Sequence, residues 1–269
     1  MNIFKKIRSL FSKPKKEVQP KLINFGWKRD LPDPRDFKFK VTRPVELPSS
    51  VDLRELCPPV YDQGELGSCT ANALGAAFQF GQKKQQKPDF IPSRLFIYYN
   101  ERVIEGTVNE DAGAMIRDGI KTMVKEGVCP ETMWPYKTWK FKKQPTPECY
   151  VTALENQVLE YLRITPHSLY EVKHALYEGH PISFGFMIFE SMMSDHVAKH
   201  GVVPVPSKRE TPMGGHAVLA VGYDDDKKAL LVRNSWGSQW GIDGYFWLPY
   251  EFVTEPNMSA DYWVIKLVE

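Results

Sequence analysis

Apolar residues at Ala73, Leu74, Ala77 and Phe78 recur on the spacing of one helix face and predict a helix that begins at Cys69. Ser68 stands at its cap position and Gly81 at a plausible stop. A second helix is expected over Ser93–Arg102, after Pro92, with Tyr98 and Tyr99 as core residues. Asp111–Glu126 reads as a third helix stopped by Gly127, with Gly113 ahead of its main body. Beyond Pro147 the pattern changes. Ser168–Tyr177 is a short helix closing at Gly179, and three almost unbroken apolar runs then read as buried strands: Pro181–Phe189, Gly214–Tyr223 and Leu230–Asn234. Asp224–Lys228 is the polar turn between the last two. Val128–Pro147, rich in proline and lysine, reads as an irregular crossing on the surface. Helices first and strands later indicate an α+β fold.

The first 46 residues follow neither pattern. Ile3, Phe4, Ile7, Leu10 and Phe11 mark one helix stripe among lysines, followed by a Pro/Lys linker, so residues 1–20 read as a basic amphipathic tail. The plain reading is a solvated tail; the sharper one is contact of residues 1–12 with an anionic membrane surface or a partner. Residues 21–46 are extended and Pro-rich, with Trp27 and Phe37 as anchors. Residues 47–269 are expected to form the main domain, with helical patterns over about 47–150 and strand patterns over about 151–269.

Composition narrows the function. The chain has 269 residues, enough for one two-lobed unit with a real core. The formal net charge is +2, and six Lys/Arg against one Glu lie in the first 20 residues. No basic face is left for nucleic acid. No apolar run is long enough to span a membrane, and charges interrupt the apolar positions near the start, so a secretory signal is not expected. The expected location is cytoplasmic. Of four cysteines, Cys57, Cys69, Cys129 and Cys149, one in a catalytic role leaves three that cannot all pair within one chain, which suits a reducing compartment. A Cys129–Cys149 bridge stays open. His196 and His200 are spaced i, i+4 but lack a third ligand nearby, so no metal is expected, and no cofactor motif is present.

Candidate chemistry centres on Cys69. At the start of a helix, a thiol meets unpaired backbone donors and the positive end of the dipole, which favour the thiolate. A thiolate nucleophile needs a histidine to carry protons, and the histidine needs an orienting group. His216 opens one predicted strand about 150 residues downstream, and Asn234 ends the next.

These blocks resemble the papain-like cysteine peptidases. Gln63-Gly64 with Gly67-Ser68-Cys69 is similar to the family's oxyanion glutamine and nucleophile, Gly215-His216-Ala217-Val218 to its histidine strand, and Asn234-Ser235-Trp236-Gly237 with Trp240-Gly241 to its asparagine loop. The resemblance covers roughly Leu47 to the C-terminus. It implies a two-lobe fold, a helical left lobe carrying the nucleophile helix and an antiparallel, barrel-like β lobe on the right, with a cleft between. It implies an endopeptidase acting on protein or peptide substrates, with Cys69, His216, Asn234 and Gln63 as the catalytic set, expected to work as a monomer without nucleic acid. Gly113, Gly185, Met213, Gly214 and Trp236 are the implied substrate-side residues. Gly113 would line the cleft, and Gly185, Met213 and Gly214 would border a pocket wide enough for a bulky apolar side chain. Trp236 would shield the His216–Asn234 bond. The chain departs from the pattern at Leu66, Thr70 and Gly215, without loss of a catalytic group. Residues 21–46 are too short for a long helical prosegment and suggest a short segment over the cleft, or else an arm on the back of the domain. A peptide-binding pseudoenzyme and an acyl transferase are the alternatives on the same frame.

Overall fold

The computed structural model describes residues 24–269; the amphipathic stripe of residues 1–12 lies outside them. In chain order the elements are β1 (Trp27–Lys28), β2 (Ser50–Asp52), α1 (Cys69–Lys84), α2 (Arg94–Glu105), β3 (Ala114–Met115), α3 (Ile116–Lys125), α4 (Pro147–Ala153), β4 (Val158–Arg163), α5 (Leu169–Tyr177), β5 (Ile182–Phe189), α6 (Asp195–His200), β6 (Pro212–Asp224), β7 (Ala229–Arg233), β8 (Tyr245–Pro249), α7 (Glu251–Thr254) and β9 (Ser259–Val268). A seven-stranded antiparallel sheet has the order β4-β9-β5-β6-β7-β8, with β2 added to β6. The architecture is α+β, with helices α1, α2 and α3 packed against an antiparallel sheet.

Strand β6 explains how the lobes join. Ala217, Leu219 and Val221 point into the core built around α1, α2 and α3, while Val218 and Ala220 point into a second core with Phe184, Phe186, Leu230 and Phe246. Side chains alternate along a strand, so a run apolar at every position is what burial on both faces requires. Helix α1 is likewise buried almost all round, packed against α2, α3, β6 and β9. Its sequence shows only a weak stripe because nearly every face is an inside face.

Three local expectations are corrected. Ser68 precedes α1 but its side chain makes no cap bond; its hydroxyl pairs with Tyr136 Oη at 2.6 Å and accepts from Asn72 Nδ2 at 3.1 Å. Gly81 does not stop α1, which runs to Lys84; its bare Cα faces Val268 of β9, where a side chain would crowd the packing. Asp111–Glu126 is not one helix. Gly113 has φ +67°, and residues 114–115 pair as β3 before α3 starts at Ile116. Left-handed backbone cannot continue a right-handed helix. The anchors of the extended segment also differ: Phe37 is 64% exposed, whereas Trp27 and Phe39 are buried.

Candidate active site

Cys69 is the first residue of α1 and is fully buried. Its sulfur is contacted by the backbone of Ala217 on β6 and of Gly26 in the N-terminal segment. His216 precedes Ala217 on the same strand and is also fully buried. Its Nε2 lies 2.8 Å from Asn234 Oδ1, which also accepts from the Ser235 N–H at 2.8 Å. The Ser235 bond fixes which end of the amide is oxygen, so Nε2 carries the imidazole proton and Nδ1 keeps its lone pair. That Nδ1 is buried and has no hydrogen-bond partner among the described residues. Trp236 stacks on the imidazole at 4.9 Å between centroids and packs edge-on against Trp240, which closes one side of the ring to water.

Gln63 is fixed at both ends. Its backbone N–H donates to the Ser235 carbonyl at 2.8 Å, its Oε1 accepts from Ser235 Oγ at 2.6 Å, and its Nε2 donates to the Leu66 carbonyl at 3.0 Å. One N–H of that amide remains for a ligand, next to the start of α1. The four residues named from sequence motifs therefore meet here, from a loop, a helix start, the body of β6 and the residue after β7.

The charge state differs from the expected thiolate. Burial pushes the Cys69 thiol up to about 11 and His216 down to about 4. Removal from water opposes the charged form of each group, and here it outweighs the helix dipole and the backbone donors. The pair is held as thiol and neutral imidazole, one internal proton transfer away from a reactive ion pair.

The burying agent is the N-terminal segment. Gly26 lies so close to Gly67 and Gly113 that a Cβ on Gly26 would overlap the Gly67 carbonyl, and one on Gly113 would overlap the Gly26 carbonyl. The Gly26 carbonyl accepts from the Ala114 N–H at 2.8 Å, and β1 pairs with β3 in parallel, Trp27 opposite Ala114. Phe25 packs on Gly214. The Trp27 indole fills a slot walled by Gly185 and Gly215, where a Cβ on Gly185 would overlap the ring. Gly113, Gly185 and Gly214 thus all face this segment, whereas Met213 is half exposed. The segment continues as Asp30 and Asp36, which with Arg117, Arg163 and Asp261 form a buried charged cluster. Asp36 pairs with Arg117 and Arg163, each at 2.6 Å, and Arg163 reaches Asp261 at 3.0 Å. Burial, and then the neighbouring Asp30, push Asp261 up to about 7. Among the described residues, no three His, Cys, Asp or Glu side chains gather as metal ligands, and all four cysteines are free; the His196 and His200 rings pack tilted against each other, 4.7 Å between centroids.

Sequence reasoning missed three contributors. Ser235 sits inside the Asn-Ser-Trp block, yet its role in holding Gln63 depends on a contact across 172 residues. Asp111 accepts from the Gly67 N–H at 3.1 Å, from Tyr98 Oη at 2.6 Å and from Asn24 Nδ2 at 2.7 Å, so it ties the Cys69 turn, α2 and the segment together. Asp261 lies near the C-terminus and gives no motif signal. Ser235→Ala would leave Gln63 Oε1 buried without a donor and its amide free to turn. The expected result is a roughly tenfold fall in kcat with KM nearly unchanged, as for a loosened oxyanion donor; steady-state kinetics on a peptide substrate checks it.

The sequence model described as Papain family cysteine protease matches residues 47–263. An uncharacterized peptidase C1-like protein of Acanthamoeba polyphaga mimivirus is 43% identical over 91% of this chain and 87% of its own length. Thiol protease aleurain of Arabidopsis thaliana is 33% identical over 77% of this chain, and the match spans only 57% of aleurain. Xylellain, a cysteine protease from Xylella fastidiosa, has a crystal structure that superposes with a TM-score of 0.87 at 44% identity, covering 95% of this chain and all of that one. With its cysteine at a helix start, its histidine bonded to asparagine and this two-lobed frame, the chain belongs to the papain family of cysteine proteases.

Proposed function

We propose that the protein is an endopeptidase that uses Cys69 as nucleophile and is kept latent by residues 24–39. The reading rests above all on the Asn234 amide: pinned by the Ser235 N–H, it holds the His216 proton on Nε2 and leaves Nδ1 basic on the strand that touches Cys69. When the segment withdraws, water returns and the thiol proton passes to Nδ1, giving thiolate and imidazolium. Each charge then stabilises the other. The thiolate attacks the scissile carbonyl, and the new oxyanion is met by the free Gln63 N–H and the Cys69 backbone N–H. The imidazolium gives its proton to the leaving amine. Neutral His216 next takes a proton from water, hydroxide attacks the thioester, and the acid product leaves. Asn234 holds the ring angle throughout.

The groove accepts an extended chain from Asn24 to Asp30, with the sulfur contacted at Gly26 between them, and this supports cleavage within a chain. The test uses an epoxide or vinyl-sulfone thiol reagent on the full chain carrying Trp27→Ala. Stoichiometric labelling of Cys69 alone is expected, with the rate falling as acid returns the proton to the thiolate. Labelling spread over Cys57, Cys129 and Cys149, or equal at acid and neutral pH, overturns the assignment.

A further inference from the structure

We propose that Asp261 makes the slot now filled by Trp27 selective for an aromatic substrate side chain that carries a neutral N–H, an indole above all. This rests on the peptidase reading. Asp261 Oδ1 accepts from Arg163 Nη2 at 3.0 Å, a partner that belongs to the body of the protein. Both donors to Oδ2 belong to the segment: the Asp30 N–H at 2.8 Å and Trp27 Nε1 at 3.2 Å. Withdrawal of the segment therefore strips Oδ2 of both and leaves a carboxylate oxygen at the floor of a narrow slot. A buried acceptor without a donor is costly, so a ligand that restores one is favoured over a ligand that only fills the space.

The walls set the shape. Gly185 and Gly215 stand where any Cβ would run into the indole, so the slot is flat and deep enough for two fused rings. The charge sets the rest. With the segment seated, Asp30, Asp36 and Asp261 face Arg117 and Arg163. With it gone, Arg163 keeps Asp261 but loses Asp36, and Arg117 loses Asp36 as well. A lysine or arginine side chain would bring a second cation up to the Arg163 guanidinium that already holds Asp261, whereas an indole N–H meets Oδ2 without adding charge. The segment's own tryptophan thus displays the side chain that the slot was shaped to take.

The test uses full-length protein with Trp27→Ala, which empties the slot. Indole and indene, alike in size but differing in the N–H, are titrated against the backbone amide signals of Gly185 and Gly215. Indole is expected to bind at least about tenfold more tightly, and peptides differing only at the residue entering the slot are expected to rank Trp well above Phe, with Lys and Arg last. Adding Asp261→Asn should abolish both preferences. The amide oxygen would go to Arg163 and its NH2 would face the slot, while asparagine still tolerates the φ of +58° found at this position. Equal binding of indole and indene overturns the proposal, as does fastest cleavage of the Arg or Lys peptide. If Asp261→Asn fails to fold, the indole–indene contrast on the parent still decides. If no peptide is cleaved while that contrast holds, the peptidase reading fails and the slot assignment stands.

Discussion

Replacing Cys69 with alanine is expected to abolish peptide hydrolysis, a fall of about 10⁴ or more, as loss of a covalent nucleophile commonly gives. Among the described residues none of Cys57, Cys129 and Cys149 is hydrogen-bonded to His216 Nδ1, and burial raises both Cys57 and Cys129. None of the three is expected to substitute. Water alone would have to attack, with His216 as base and the Gln63 donor intact, and that residual rate should be at the limit of detection. Cys69→Ser should be nearly as inactive, because a hydroxyl paired with a neutral imidazole is far harder to ionise than a thiol. Both variants should fold, since removing one sulfur leaves only a small void, and their thermal midpoints should stay within a few degrees of the parent. The assay is hydrolysis of a quenched peptide in the Trp27→Ala background. Sustained turnover by purified Cys69→Ala would remove the sulfur from the mechanism.

The second large effect is expected from Trp27→Ala itself. The indole is only 6% exposed, is sandwiched by Gly185 and Gly215, and donates to Asp261. Truncating a buried tryptophan typically costs about 3–5 kcal/mol. Here that loss falls on the seated form only, because the withdrawn segment exposes the ring to water. The balance between covered and open cleft should therefore shift by about 10²-fold or more, and thiol labelling and hydrolysis should rise by the same factor until the open form dominates. Phe37→Ala is the matched control: its ring is 64% exposed and meets Tyr161 only edge-on at 6.1 Å. It should change either rate by less than about twofold. Equal rates for the parent and Trp27→Ala would mean that the segment does not govern access.

The difference between those two aromatics shows where sequence reading runs out. Both lie in the same Pro-rich stretch and look alike as anchors. Which one is buried depends on glycines at positions 185 and 215, far along the chain. The helix at Cys69, the strand holding His216, the strand leading into Asn234 and the α+β order were legible because periodicity and turn chemistry are local. The candidate site residues could be named through motif blocks in a fixed order. Contacts across long separations were not: Ser235 to Gln63, Asp111 to Gly67, and Asp261 to Trp27 and Arg163. The thiol's protonation is not legible in the sequence for the same reason. The helix start argued for an anion, and the decisive burial comes from residues more than 40 positions upstream.

The strand that covers the cleft is joined to the domain through residues 42–46, all exposed. A plug on such a tether faces its site at a fixed effective concentration, in the millimolar range for short linkers. Dilution cannot dislodge it, and the apparent affinity of any substrate falls in proportion to the fraction of molecules that are open. One cut in those five residues would change the order of the reaction. The plug would become a separate peptide, rebinding would depend on its concentration, and the nicked enzyme would wake on dilution alone.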